Sequence, residues 1–284
     1  MPDPRVGRSG RPDRAAAGKP ALTDARPDLV ALIGGLIAAG PKDRPPLIGI
    51  AGSQGSGKTA LARAAAKAFG AVQISLDDAY LTRAEREAMA RKLHPLFAVR
   101  GPPGTHDLRL LERTVTSLSA AGPDDTTPIP AFDKLTDDRA PEQDWTPFRG
   151  RPAAILIDGW CLGAVAQDDA SLIEPLNPLE RDQDSDSVWR RAVSGFTGGT
   201  YRALAERLDA RVFLQAPGFE VVLDWRCEQE ETLRGRALSE IERGRIADFI
   251  QAFERLTRHM IDGGVRADVV VKLDRNRLPV TVSA

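Results

Sequence analysis

The chain has little cysteine: only Cys161 and Cys227 among 284 residues. Two thiols cannot build a disulfide framework, so a reducing compartment is the default and both are expected to be packing residues. Long hydrophobic runs are also missing. The longest, Leu29 to Gly40, is broken by Gly34 and Gly35 and falls short of the ~20 residues that span a bilayer. The N-terminal stretch lacks the apolar core of a secretory signal. These absences point away from a membrane or secreted protein and toward a cytoplasmic one. There is no charge excess either: 39 basic against 40 acidic residues leaves a net charge of −1. Nucleic-acid binders usually carry a basic surplus, so no nucleic-acid partner is expected.

What is present is ordinary globular material. Apolar residues make up 42% and charged residues 28%, which excludes disorder of the whole chain. Residues 1–24 read as a disordered tail, because Pro2, Pro4, Gly7, Gly10, Pro12, Gly18 and Pro20 break any periodicity. Residues 25–284 read as one domain. Short apolar runs alternate there with amphipathic helices: Pro46–Ala51, Ala71–Leu76, Ala153–Ile157, Arg211–Gln215 and Asp268–Leu273 are the expected strands. Strands apolar on both faces and separated by helices imply an α/β fold with a parallel sheet covered on both sides. Capping boxes at Thr82/Glu85 and Ser239/Glu242 mark two helix starts. Gly- and Pro-rich segments at about 94–106 and 121–152, with an acidic one within 160–187, resist the pattern. Loops that long in a compact domain are often functional.

The first chemical signal is Gly52-Ser53-Gln54-Gly55-Ser56-Gly57-Lys58-Thr59, which fits G-x-x-x-x-G-K-[ST]. It follows an expected strand and opens an expected helix, the context in which such a loop wraps phosphates. Its glycines permit backbone geometries closed to other residues, and its N–H groups and the helix N-terminus favour anions. Lys58 would bring a charge to the β- and γ-phosphates of ATP, and Thr59 a hydroxyl to Mg²⁺.

Two acidic elements follow. Asp158 ends the apolar strand Ile155-Leu-Ile and is either an acid for the metal or a turn-capping residue. Asp77 and Asp78 follow the second strand, where a carboxylate can take a proton from an attacking hydroxyl. They are otherwise turn or helix caps. No N-K-x-D is present, which disfavours a guanine-specific switch.

Ser75-Leu-Asp77-Asp78-Ala-Tyr80 resembles the S-x-D-D-F-Y element of the phosphoribulokinase, uridine kinase and pantothenate kinase superfamily. Other segments narrow the resemblance to the D-glycerate 3-kinases. His94-Pro-Leu-Phe-Ala-Val-Arg100-Gly-Pro-Pro-Gly-Thr-His106-Asp107 resembles N-P-L-L-x-x-R-G-x-P-G-T-H-D, and Ile129-Pro-Ala-Phe-Asp-Lys134 resembles I-P-x-F-D-K, followed by a D-R at Asp138-Arg139. Asp158-Gly-Trp160 stands where that family has E-G-W. Trp225-Arg226 through Glu230 resembles W-R-x-x-Q-E, and Phe253–His259 resembles Y-E-R-L-T-R-H. The match runs over about residues 28–275. This chain departs from it at Asp158 (Glu in the family), at Ala79 (Phe), in a shorter segment between Lys134 and Arg139, and over 166–187.

The resemblance implies a three-layer P-loop fold whose five-stranded, mostly parallel sheet has the order 2-3-1-4-5. It implies a phosphotransferase using ATP and Mg²⁺ on a small acidic substrate, D-glycerate in the first instance. Asp77 would be the base. Thr59, Asp77 and Asp158 would serve the metal. Asp78, Tyr80, Arg100, His106, Asp107, Lys134 and Arg139 would meet the acceptor. Arg226 would be a lid arginine neutralising the transferred phosphoryl group, or else the i,i+4 partner of Glu230. Arg255, Arg258 and His259 share one helix face, solvated or functional. Two alternatives stay open: a kinase for another metabolite (pantothenate, a nucleoside, another sugar acid), and a nucleotide-binding regulator that phosphorylates nothing.

Overall fold

The computed structural model describes residues 26–283; the expected tail lies outside them. In chain order the elements are α1 (Pro27–Ala39), β1 (Leu47–Gly52), α2 (Lys58–Phe69), β2 (Val72–Ser75), α3 (Arg83–Lys92), α4 (Leu108–Ala120), β3 (Thr126–Ile129), β4 (Phe132–Asp133), β5 (Asp138–Arg139), β6 (Thr146–Arg149), β7 (Ile155–Gly159), α5 (Pro178–Gln183), α6 (Val188–Phe196), α7 (Arg202–Glu206), β8 (Ala210–Gln215), α8 (Glu220–Arg234), α9 (Glu240–Ile261), β9 (Val269–Leu273) and β10 (Pro279–Ser283).

The main sheet runs β10-β9-β8-β1-β7-β2. The five strands expected from the sequence are its parallel members. The sixth, β10, returns antiparallel along β9 at the edge and was not anticipated. Its two exposed apolar residues, Val280 and Val282, alternate with Thr281 and Ser283, a pattern too short to separate from a loop.

β1 and β7 are buried along their whole length, as strands covered on both faces must be. On one face Leu47, Ile74, Ile155 and Ile157 meet Leu111, Val115 and Leu118 of α4 and Leu256 and Met260 of α9. On the other, Ile48, Ile50 and Leu156 meet Leu29 and Ile33 of α1, Leu61 and Ala65 of α2, and Val221 of α8. The sheet is therefore the middle of three layers.

Both capping boxes form, Thr82 with Glu85 on α3 and Ser239 with Glu242 on α9. The segment 121–152 is not simply loop. It folds into an antiparallel pair, β3 with β6, enclosing a tight hairpin, β4 with β5. The helical run from α6 to α7 is interrupted by a π-turn at Thr197–Tyr201, where two glycines weaken the helix. Cys161 and Cys227 are free and buried.

Candidate active site

Parallel strands deliver their carboxyl ends to one edge, so the residues that follow β1, β2 and β7 converge there. β1 runs into the phosphate loop. Gly55 and Gly57 have φ of 73° and 91°, which ordinary residues rarely adopt. At Gly55 space is also lacking: a Cβ there would lie 2.6 Å from Cβ of Trp225. Gln54 is half-buried in the loop. The Ser53 and Ser56 hydroxyls are buried without hydrogen-bond partners. Lys58 is buried, its Nζ 3.5 Å from the Ser53 carbonyl oxygen. Orphaned hydroxyls, a buried ammonium and a helix N-terminus form a cradle that fits a polyphosphate.

Asp158, at the end of β7, is fully buried. Its Oδ1 accepts from Thr59 Oγ1 at 2.6 Å and its Oδ2 from Gln73 Nε2 at 2.5 Å. Burial pushes this carboxyl up, against the hydrogen bonds and the nearby Lys58. All three hydrogen-bond partners, including Ser75, are neutral. A buried carboxylate beside the loop hydroxyl, with no cation bonded to it, is a donor set that suits Mg²⁺. Among the described residues no three His, Cys, Asp or Glu side chains converge into a metal cluster. A metal site completed by substrate phosphates requires none.

Asp77 lies in the single turn after β2, its Oδ1 accepting the Tyr80 hydroxyl at 2.8 Å. Burial drives its carboxyl up, but Lys58, Lys134, His106 and the Tyr80 hydrogen bond outweigh that, and it sits below the ordinary carboxylate value. Asp78 behaves oppositely. Burial, with Asp77 and Asp158 close by, pushes it up to about 6, although Lys134 opposes.

Facing these acids is a wall of rings. His106 stacks on Tyr80 with centroids 4.5 Å apart, and Phe132 meets Tyr80 edge-on at 5.2 Å. The backbones of 79–81 and 105–107 are paired, which fixes the stack. His106 Nδ1 bonds the Tyr201 hydroxyl, and that hydroxyl also accepts from Gly104 N at 3.0 Å. Burial lowers His106 to about 4, so its ring is neutral near pH 7. Its Nε2 is buried without a partner.

The expected cationic residues divide. Arg100 pairs with Asp137 and lies 5.5 Å over the Phe132 ring. Arg139 is held by Asp107 Oδ2 at 3.0 Å and the Tyr80 carbonyl at 2.9 Å. Asp107 also caps α4, accepting from Leu110 N at 2.9 Å. Lys134, at the tip of the β4–β5 hairpin, is exposed. Of Arg100, Lys134 and Arg139 it alone forms no salt bridge among the described residues. Arg226 pairs with Glu230 at 2.5 Å, the i,i+4 arrangement. Arg255 turns inward to the buried Glu180 at 2.6 Å, and Arg258 pairs with Glu254, so this face is neither bare solvent nor part of the acid cluster. Trp160 is core, donating to the Gly101 carbonyl at 3.0 Å.

Three contributors escaped sequence reasoning. Gln73 alternates with Ser75 on β2, a period-two signal that could have placed both against Asp158. Tyr201 is one of only two tyrosines and follows the helix-weakening Thr-Gly-Gly-Thr. Arg86 is fully buried on α3, donating to the carbonyls of Ala98 and Asp137 at 2.6 Å each, and thereby docks the hairpin. Nothing local distinguishes it from the solvated arginines around it.

Sheet, loop and layers together make a three-layer P-loop fold. No family model matches the chain. Over 264 residues it is 28% identical to a Schizosaccharomyces pombe protein named as an uncharacterized kinase, mug58, covering 85% of this chain and 92% of that protein. A solved D-glycerate 3-kinase from Cryptococcus neoformans var. grubii is 22% identical, with a TM-score of 0.69 over 90% of this chain and 99% of that one. The solved YGR205w protein is 20% identical, with a TM-score of 0.64 over 90% and 95% of the two chains. The fold is thus shared, and these relatives support a kinase, that is, a phosphotransferase. Among the described residues no helix is long and apolar enough to cross a membrane.

Proposed function

We propose that the chain transfers the γ-phosphoryl group of ATP to a hydroxyl of D-glycerate. One observation carries this most directly. The buried Asp77 carboxylate lies within the fields of Lys58, from the phosphate loop, and Lys134, from the hairpin. A base under the influence of both a phosphate-binding cation and a surface cation suits an acceptor that is both an alcohol and an anion.

The loop amides, Lys58 and the α2 N-terminus hold the triphosphate. The acceptor carboxylate meets Lys134, and its backbone lies against Tyr80 and His106. The acceptor hydroxyl loses its proton to Asp77 as its oxygen bonds to the γ-phosphorus, and the bond from that phosphorus to the β-bridging oxygen breaks to release ADP. The Tyr80 hydrogen bond fixes Asp77 Oδ1, while Oδ2 accepts no hydrogen bond among the described residues. Held low, Asp77 is ionised at neutral pH and takes the proton late, as a loose phosphoryl-transfer transition state requires. Thr59 and Asp158 would hold Mg²⁺, which when bound neutralises charge across the β- and γ-phosphates. Arg226 is held by Glu230 in the structure. A glycerate 3-kinase is the activity named for one solved neighbour, and the motif resemblance adds to it.

The test is Mg²⁺-dependent ADP release with D-glycerate, L-glycerate, pantothenate and uridine as acceptors. Turnover on D-glycerate alone is expected. Turnover on pantothenate or uridine instead would move the assignment to another metabolite kinase, and ATP binding without any turnover would favour the regulator.

A further inference from the structure

The outer side of the phosphate loop is gripped by two arginines from opposite ends of the described chain. Arg277 lies in the turn joining β9 to β10, which Asp274 closes by accepting from Asn276 N and Leu278 N at 2.8 Å each. Its Nε donates to the Gly55 carbonyl at 2.6 Å. Its guanidinium lies 5.0 Å over the ring of Trp225, the residue packed on Gly55, and pairs with Glu228 at 2.8 Å. Arg26, just before α1, donates to the Ser56 carbonyl at 3.2 Å and to the backbone carbonyl of Arg277.

Neither arrangement is what stability alone would select. Arg277 has φ of 65°, a conformation costly for any side chain but natural for glycine. Its Nη2 is buried with no hydrogen-bond partner among the described residues. Burial lowers Arg26, and repulsion from the Arg277 guanidinium lowers it further. Strain, an unspent donor and paired like charges at one spot mark a functional compromise.

The trans peptide makes the function concrete. A carbonyl tied down on the outside turns the next amide N–H the other way. The bond from Arg26 fixes the Ser56 carbonyl and so turns the Gly57 N–H the opposite way. The bond from Arg277 fixes the Gly55 carbonyl, and the N–H of that same peptide, Ser56 N–H, closes the loop on the Ser53 carbonyl at 3.2 Å. We propose that Arg277, aided by Arg26, is a positioning residue for nucleotide binding: it pins the outward carbonyls of the phosphate loop and adds positive charge behind it, so that the amides are set for the triphosphate before it arrives. This rests on the reading of the loop as an ATP site.

Equilibrium titration of the full chain with MgATP, beside thermal melting without nucleotide, tests it. Arg277→Gly relieves the backbone, so a residue serving only the turn predicts unchanged or higher stability and unchanged ATP affinity. The proposal predicts an ATP Kd raised about tenfold, as expected for losing a hydrogen bond to a charged group, with the KM for the acceptor unchanged. Added guanidinium ion should restore part of the affinity. Arg26→Gln should weaken ATP binding in the same direction by less. Arg277→Gly binding ATP within twofold of the parent, or loss of affinity only in step with loss of fold, would overturn the proposal. Failure of the unsubstituted chain to bind ATP would overturn the nucleotide reading itself.

Discussion

The two halves of the crevice are built from different material. The nucleotide half is backbone: glycines at positive φ, amides at a helix end, and a lysine and a threonine on the first turn of α2. The half proposed for the acceptor is side chain: Tyr80, His106, Phe132 and Lys134, carried by segments far apart in sequence and brought together by a hairpin. A backbone cradle is specified by a few consecutive residues and recognises a group common to all nucleotides. A side-chain wall is specified by tertiary packing and can change its ligand with little change in fold. Under the proposed function, that difference would put the general chemistry in the first half and the choice of acceptor in the second.

Lys58→Ala should separate the halves most severely. It removes the charge that serves both the phosphates and Asp77, and kcat/KM should fall on the order of 10³-fold. Steady-state assays at varied ATP and acceptor would show it, and near-parental activity would break the phosphate-loop account.

The same contrast explains what was legible beforehand. The five parallel strands announced themselves as apolar runs, and the eight residues from Gly52 to Thr59 as a motif with a mechanism. Asp158 was legible because an acid at the end of a buried strand demands a partner. Thr59, Gln73 and Ser75 supply neutral ones. The acceptor half was legible only as unusual loops and a family resemblance. That Arg100 is spent on Asp137, and Arg139 and Asp107 on each other, is decided by contacts across 37 and 32 residues that no local pattern encodes. The edge strand β10 and the turn carrying Arg277 were invisible for the same reason.

Lys134→Ala should act on the acceptor half alone. The KM for D-glycerate should rise about tenfold, the loss of one charged hydrogen bond, with the KM for ATP unchanged. Equal effects on both KM values would show that Lys134 serves the phosphates instead.

His106 gives a pH signature. Its folded value is about 4 against an ordinary 6.5, so between those values the unfolded chain binds the proton and the folded chain does not. Stability should therefore fall as pH drops from about 6.5 to 4, by on the order of 3 kcal/mol from this group. Denaturant titrations of His106→Gln should show a flatter slope across that window. An identical slope would mean that the ring is not buried neutral.

The smallest effect is expected at Arg226. Its partly exposed pair with Glu230 is worth about 0.3–0.5 kcal/mol. Arg226→Ala should lower stability by no more than that in urea unfolding. A hundredfold fall in kcat would instead show that the arginine leaves Glu230 during turnover and joins the nucleotide half.

Asp77→Asn tests the central claim most directly, because Asp77 is where the two halves meet. The amide oxygen can still accept the Tyr80 hydroxyl, so the fold and the cradle should survive, but it cannot take the acceptor's proton. The account predicts unchanged ATP binding by calorimetry and a kcat on D-glycerate lower by about 10³-fold, within the range for loss of a general base. A variant that binds ATP normally and turns over D-glycerate within tenfold of the unsubstituted chain would contradict it.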